Sequence, residues 1–262
     1  MRNGAGSGQG REIPATGWRV ERLANVGSTN DEARRRALEG DPGRLWIVAR
    51  EQTQGRGRRG RAWASPPGNL YASALLIDPS PVAIAAQIGF VAGVALRSAL
   101  DDLGADAEIR LKWPNDLVWR GAKLAGLLVE GAALGDGRLA CIVGIGVNCV
   151  SAPTGLAYAA DHLSNVLGRA VSAEDLLARL VIRFDEALAL WRQGADFAAI
   201  RAHWLANAAG LGDPIRIAGA QSQREGIFST LDEHGRLVLD GANGSEIIEA
   251  GDLFLIKEGA AR

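Results

Sequence analysis

The chain of 262 residues is poor in the side chains that build metal and redox centres. It has two cysteines, Cys141 and Cys149, and three histidines, His162, His203 and His234. The cysteines stand close together in one strand-like segment, so they point the same way yet lie too far apart to bond. No CxxC pair occurs. That argues against a zinc site or a disulfide framework and fits a reducing cytoplasm. An excess of charge is also lacking: 29 basic residues face 30 acidic ones. Such balance speaks against a general nucleic-acid or membrane coat. No secretory signal opens the chain, and Met1–Gly10 reads as a flexible tail. The most apolar stretch, Val82–Leu96, is interrupted by Gln87 and stops at Arg97. It reads as too short for a membrane span and better suited to a buried helix.

What is present is a core-forming sequence, 47% hydrophobic, with a mixed pattern of elements. A strand is expected near Trp18–Leu23. A helix should follow from Ser28-Thr29-Asn30, with Thr29 and Glu32 as a capping box and Gly40 at its stop. Leu45–Arg50 and Leu70–Ile77 read as strands, and Ser80-Pro81 starts a helix over Val82–Leu103. Glu108–Trp113, Leu117–Trp119, Leu124–Glu130 and Leu139–Asn148 read as further strands. Ser172 with Asp175 caps a helix whose stripe runs Leu176, Leu177, Leu180, Val181, Phe184, Leu188, Trp191. After about Leu211 the texture changes to short strands at Ile215–Ile217, Arg224–Thr230, Arg236–Leu239 and Ser245–Ala250. The expectation is an α+β chain: a tail (1–15), a catalytic domain with a mixed sheet flanked by helices (16–208), and a small β-barrel-like domain (209–262).

The segment Gln52–Arg61 holds four arginines in seven residues, Arg56, Arg58, Arg59 and Arg61. Such density is costly unless an anion neutralises it. Gly55, Gly57 and Gly60 let the backbone approach a ligand, and guanidinium forks suit phosphate or carboxylate. The string also matches GxGxxG, but a dinucleotide fold needs a helix there, and Pro66-Pro67 forbids one. A solvated basic loop, a nucleic-acid contact and a nucleotide-phosphate or acyl-phosphate site all stay open. Trp63 could stack on a base or sit in the core.

Three other strings carry chemistry. In Lys112-Trp113-Pro114-Asn115-Asp116, Lys112 shares a strand face with Glu108 and Arg110, while Asn115 and Asp116 sit in a turn. Either this is an ordinary proline turn, or Lys112 neutralises phosphate while Asp116 ligates magnesium. Lys123 is a lone lysine entering an apolar strand. Gly144, Gly146 and Asn148 leave one face of a strand bare, for a ligand or for close packing; Asn148 could read an adenine edge. Several cations, one carboxylate and no serine or histidine nucleophile suit transfer between an acid and a nucleotide phosphate.

At Gly27-Ser28-Thr29-Asn30, Gln52–Arg61 with Trp63, Lys112–Asp116, Lys123-Leu124-Ala125-Gly126 with Glu130, and Gly144–Asn148, the chain resembles the biotin–protein ligases. The resemblance covers about Thr16 to Ile256. It implies a class II aminoacyl-tRNA synthetase-like catalytic domain with an SH3-like domain after it. It implies that biotin and ATP, with Mg2+, give biotinyl-5′-AMP and pyrophosphate. The acyl group then passes to a lysine of the biotin carboxyl carrier domain of acetyl-CoA carboxylase. By resemblance, biotin meets Ser28, Thr29, Asn30, Gln52, Gly55, Arg56, Gly57, Arg58, Lys123 and Gly126. ATP meets Arg58, Arg61, Trp63, Lys112, Asn115, Asp116 and Asn148. Lys123, Lys112 and Arg58 are the catalytic cations, and Asp116 the metal ligand.

Some family members carry an N-terminal helix-turn-helix; about 15 residues before the first strand are too few for one, so a ligase-only enzyme with no specific DNA partner is expected, as monomer or homodimer. The loop is expected to be disordered until ligand binds. The rivals are a lipoate–protein ligase of the same fold, an RNA-binding protein and a non-catalytic biotin sensor.

Overall fold

A computed structural model describes residues 11–13, 17–105, 107–219 and 223–256. Met1–Gly10, read as a flexible tail, lies outside the described residues. The rest of that segment is not all tail: β1 (Arg11–Ile13) pairs antiparallel with β2 (Trp18–Val26).

The large sheet runs β1-β2-β3-β4-β8-β7-β6-β5, with β3 Leu45–Gln52, β4 Leu70–Ile77, β5 Ile109–Lys112, β6 Asp116–Trp119, β7 Ala122–Ala133 and β8 Leu139–Val147. Only β2 and β3 pair in parallel, because α1 (Thr29–Leu38) supplies the crossover between them. The sheet is therefore mixed, and α1 lies across β3, β4 and β8. On the opposite face α2 (Ile88–Asp101) and α4 (Ala173–Trp191) pack together against the strands. Their apolar stripes, with Trp18, Trp46 and Phe184 in mutual ring contact, form the main core. Ser172 Oγ accepts from Asp175 N at 3.4 Å, as the cap pattern predicts.

The helical run Val82–Asp101 falls within the helix expected over Val82–Leu103. Its first six residues are 3-10, and by length and composition alone it could cross a membrane. It is instead mostly buried against α4 and the sheet. Two helices went unread: α3 (Leu163–Val166) and α5 (Phe197–Ala206). Cys141 lies within β8 and Cys149 just beyond its end; both thiols are free and buried, and burial pushes both up to about 12.

The C-terminal sheet is antiparallel, in the order β12-β11-β10-β9-β13. Its strands are β9 Pro214–Ala218, β10 Gln223–Leu231, β11 Leu237–Gly241, β12 Gly244–Ile248 and β13 Asp252–Leu255. Four were expected and five form. The fifth, β13, faces the site. The large sheet's edge touches the C-terminal unit: Trp113 Nε1 donates to Gly235 O, in the turn between β10 and β11, at 3.1 Å, and Leu111 bridges to Ala208, in the link that follows α5.

Candidate active site

A single cross-strand row forms the floor of the main cleft. Tyr71 on β4 pairs with Gly146 on β8, Gly146 with Gly126 on β7, Gly126 with Asp116 on β6, and Asp116 with Lys112 on β5. Two glycines at the centre of this row leave the floor low. The space is filled by Trp63: a Cβ at Gly146 would lie 2.6 Å from its indole, and one at Gly126 would lie 3.2 Å from it. The bare strand face thus seats a side chain of the arginine loop. A Cβ at Gly144, one row along, would meet Asn30 Oδ1 at 2.4 Å, so this glycine seats α1.

Lys123 reaches the row through an irregularity. Regular alternation would put it on the face of Ala125 and Leu127, which are buried in the core. The register between β6 and β7 shifts at Leu117/Val118. Such a bulge re-aims side chains, and the Lys123 ammonium lies 2.7 Å from Asp116 Oδ1. Its backbone is pinned on both sides, its N–H donating to Ala159 O and its carbonyl accepting from Asp161 N. Trp63 and Tyr158 present ring faces 5.5 and 5.7 Å from Nζ.

Two more cations converge there. Arg58 is half-buried; loss of hydration lowers its pKa, and Asp252 and Asp116 oppose the shift. Its Nη1 donates to Asn115 Oδ1 at 3.3 Å, and Asn115 Nδ2 donates to Leu127 O at 2.7 Å, so Asn115 holds the guanidinium over β7. Lys112 is more deeply buried, and burial likewise lowers its pKa, opposed by Asp116 and Asp252. Its Nζ sits 5.6 Å from the Phe254 ring centroid.

The other end of the cleft is a neutral network at the start of α1. Ser28, Thr29 and Asn30 are nearly inaccessible, at 4%, 4% and 3% exposure. The expected Thr29–Glu32 capping box does not form. Ser28 is the N-cap residue and its side chain makes no cap. The Gln52 amide oxygen instead accepts from Thr29 N (2.9 Å) and lies 3.1 Å from Thr29 Oγ1. Ser73 Oγ donates to Asn30 Oδ1 at 2.6 Å, and Gln52 Nε2 donates to Ser65 Oγ at 3.1 Å.

The arginine loop lies over this cleft. A 3-10 turn at Arg58–Gly60 and a bridge between Arg56 and Ala62 shape it. Its charge is met by the protein's own carboxylates. Arg56 makes two 2.7 Å bonds to Asp31 and contacts Glu130 Oε2 at 3.0 Å. The Asp31 carboxyl is held below its ordinary range by that guanidinium. Arg61 meets Asp252 at 3.0 Å and Arg59 meets it at 3.6 Å. Asn30 Nδ2 donates to Glu130 at 2.7 Å, tying loop to helix. Gly55 is where the loop closes on itself: a Cβ there would lie 2.7 Å from both Ser65 Oγ and Trp63 O.

Of the residues singled out in the sequence, Ser28, Thr29, Asn30, Gln52, Arg56, Gly57, Arg58, Arg61, Trp63, Lys112, Asn115, Asp116, Lys123 and Gly126 all line one cleft. Gly55 lines a second cavity behind the loop, as does Asn148. Asn148 is otherwise placed than expected for an adenine reader: it is 2% exposed, and its amide donates to Asp161 O at 3.0 Å. The same amide lies 3.4 Å from Lys123 O. Asp116 is engaged by Lys123, and no cluster of three or more metal-binding side chains exists among the described residues. The donor set does not build a resident metal cage. Asp31, Tyr158, Asp252 and Phe254 were missed. Asp31 and Tyr158 carry no motif, and the other two arrive from the unread β13.

A model of the Biotin/lipoate A/B protein ligase family matches residues 25–148, and one of the Biotin protein ligase C terminal domain matches 210–255. A Biotin--[acetyl-CoA-carboxylase] ligase of Paracoccus denitrificans is 42% identical over 88% of this chain and 98% of its own length. One from Mycobacterium tuberculosis is 31% identical over 92% and 91%. The solved biotin protein ligase from Aquifex aeolicus in complex with biotin and ATP superposes with a TM-score of 0.77 at 27% identity, covering 91% of this chain and 99% of that one. The chain belongs to the biotin protein ligase family.

Proposed function

We infer that the chain is a biotin–[acetyl-CoA-carboxylase] ligase working through an acyl-adenylate. The observation that carries this reading is the convergence of Arg58, Lys112 and Lys123 on one glycine-floored cleft whose other end is a neutral polar network. The full-length similarity to the Paracoccus ligase, and to a relative solved with biotin and ATP, supports it.

In the first step a biotin carboxylate oxygen attacks the α-phosphorus of ATP. The bond to the β-phosphate oxygen breaks, pyrophosphate leaves, and biotinyl-5′-AMP remains. Two anions must meet, so positioning and charge stabilisation dominate. Lys123, in mid-cleft, would face the reacting phosphate, with Asp116 orienting it. Arg58 and Lys112 would offset the remaining phosphate charge. Magnesium fits as part of the substrate, carried on the ATP phosphates, which is how this ion is commonly bound. The hydroxyls of Ser28 and Thr29 and the side-chain amides of Asn30 and Gln52 suit the uncharged ring of biotin. In the second step the amine of a carrier lysine attacks the acyl carbon and AMP leaves. The loop Gly55–Trp63 would keep water from the mixed anhydride meanwhile. We read residues 16–208 as the catalytic domain and 209–262 as an accessory β domain, acting in a reducing cytoplasm.

The test is incubation with biotin, Mg-ATP and the carrier domain of acetyl-CoA carboxylase, followed by mass spectrometry. One biotinyl group on one carrier lysine is expected. Modification by lipoate in place of biotin would overturn the reading.

A further inference from the structure

We propose that Phe254, on the C-terminal sheet, is a positioning residue that holds the Lys112 ammonium in the cleft for the phosphates of ATP. The proposal rests on the ligase reading for the identity of that anion. β13 lines the cleft with Asp252, Leu253 and Phe254, of which Leu253 is buried and Phe254 exposed. Phe254 leaves 48% of its surface exposed there. An aromatic ring on a rim loses favourable burial unless it serves a contact, and its contact is Lys112 Nζ at 5.6 Å.

The two cleft lysines are held differently. Lys123 has a carboxylate 2.7 Å away. Lys112 forms no ion pair among the described residues, and Asp116, its cross-strand neighbour, is taken by Lys123. A buried ammonium needs some partner. A ring face supplies attraction without a counter-charge, so the full charge of Lys112 stays available to an arriving phosphate. A carboxylate in that place would have to be displaced first. β13 is also tied to the arginine loop through Asp252. The ring therefore stands on a strand that the loop's far end grips.

The experiment measures binding of a non-hydrolysable ATP analogue with magnesium to the full chain by calorimetry. Phe254→Ala and Phe254→Leu should weaken binding roughly 3- to 10-fold, while Phe254→Tyr should restore it. Biotin affinity, measured without nucleotide, should not move. In a Lys112→Met background Phe254→Ala should cost nothing further. Two results would overturn the proposal: Leu performing as well as Phe, or an equal loss in the Lys112→Met background. A wild-type chain that binds the analogue but never adenylates biotin would sink the ligase reading instead, with the Phe254–Lys112 coupling still measurable.

Discussion

The two ends of the cleft solve opposite problems. At the start of α1, Thr29, Asn30, Gln52, Ser65 and Ser73 bond to one another, and Asn30 also donates to Glu130, whose charge Arg56 matches, so no charge there lacks a partner. At the β5–β7 end, Arg58 and Lys112 are partly buried cations whose charge is disfavoured by lost hydration. The first end can accept an uncharged polar group by exchanging hydrogen bonds of similar strength. The second is left short of negative charge, and an anion relieves it. Lys123 sits between them, already oriented by Asp116. The lesson is that a site for joining an acid to a nucleotide can place its electrostatic tension at one end only.

The sharpest way to break this comparison is to remove the central cation. Lys123→Ala should reduce biotin-dependent pyrophosphate release at least about 100-fold with an unchanged circular dichroism spectrum. Near-normal turnover would show that the charge is supplied elsewhere. Next comes the floor. Gly146→Ala puts a methyl 2.6 Å from the Trp63 indole, so the ring must leave the row. A loss of roughly 10- to 100-fold in adenylation is expected, read by the same assay. A full-rate variant would mean Trp63 has no part in the chemistry.

Arg58→Gly should cost about tenfold in retention of the adenylate, measured as activated biotin escaping into solvent during turnover. Unchanged leakage would remove the loop's role as a cover. The pH dependence distinguishes the two ends without mutation. Lys112 must stay protonated to meet phosphate, and burial lowers its pKa. The KM for ATP should therefore rise with pH earlier than an ordinary lysine would dictate, while biotin affinity stays flat. The stability sign is opposite. A lysine with a depressed folded pKa penalises the folded state while charged, and that penalty is relieved as pH rises through the folded pKa. Weakened ATP use should thus come without loss of folding. The smallest effect belongs to Asp31→Asn: Arg56 keeps Glu130, and a half-exposed pair contributes below about 1 kcal/mol, checked by urea unfolding.

Much of this was legible in the residues. The strand Ile109–Lys112 alternates as read, with Ile109 and Leu111 buried and Lys112 toward the cleft. The α4 stripe and its Ser172 cap are also where periodicity put them. What the chain hid was tertiary. Arginine density suggested a missing anion, yet Asp31, Glu130 and Asp252 are distant in sequence and converge only in the fold. The Gly144 and Gly146 gap left a ligand and close packing equally open, and packing by Asn30 and Trp63 fills it. Asn148 lies in line with those glycines, but the strand ends at Val147 and its amide turns to a loop carbonyl. The shift in register that aims Lys123 has no signature in Lys123-Leu124-Ala125-Gly126 alone. β13 is only four residues long and follows a glycine, too short to show alternation.

The central claim is that this cleft joins biotin to the α-phosphate of ATP with its own cations. Exchange of labelled pyrophosphate into ATP, without any carrier domain, tests it most directly. The account predicts exchange that requires biotin, is not supported by lipoate, and is abolished in Lys123→Ala. Exchange driven by lipoate alone, or biotin-dependent exchange undiminished in Lys123→Ala, would contradict it.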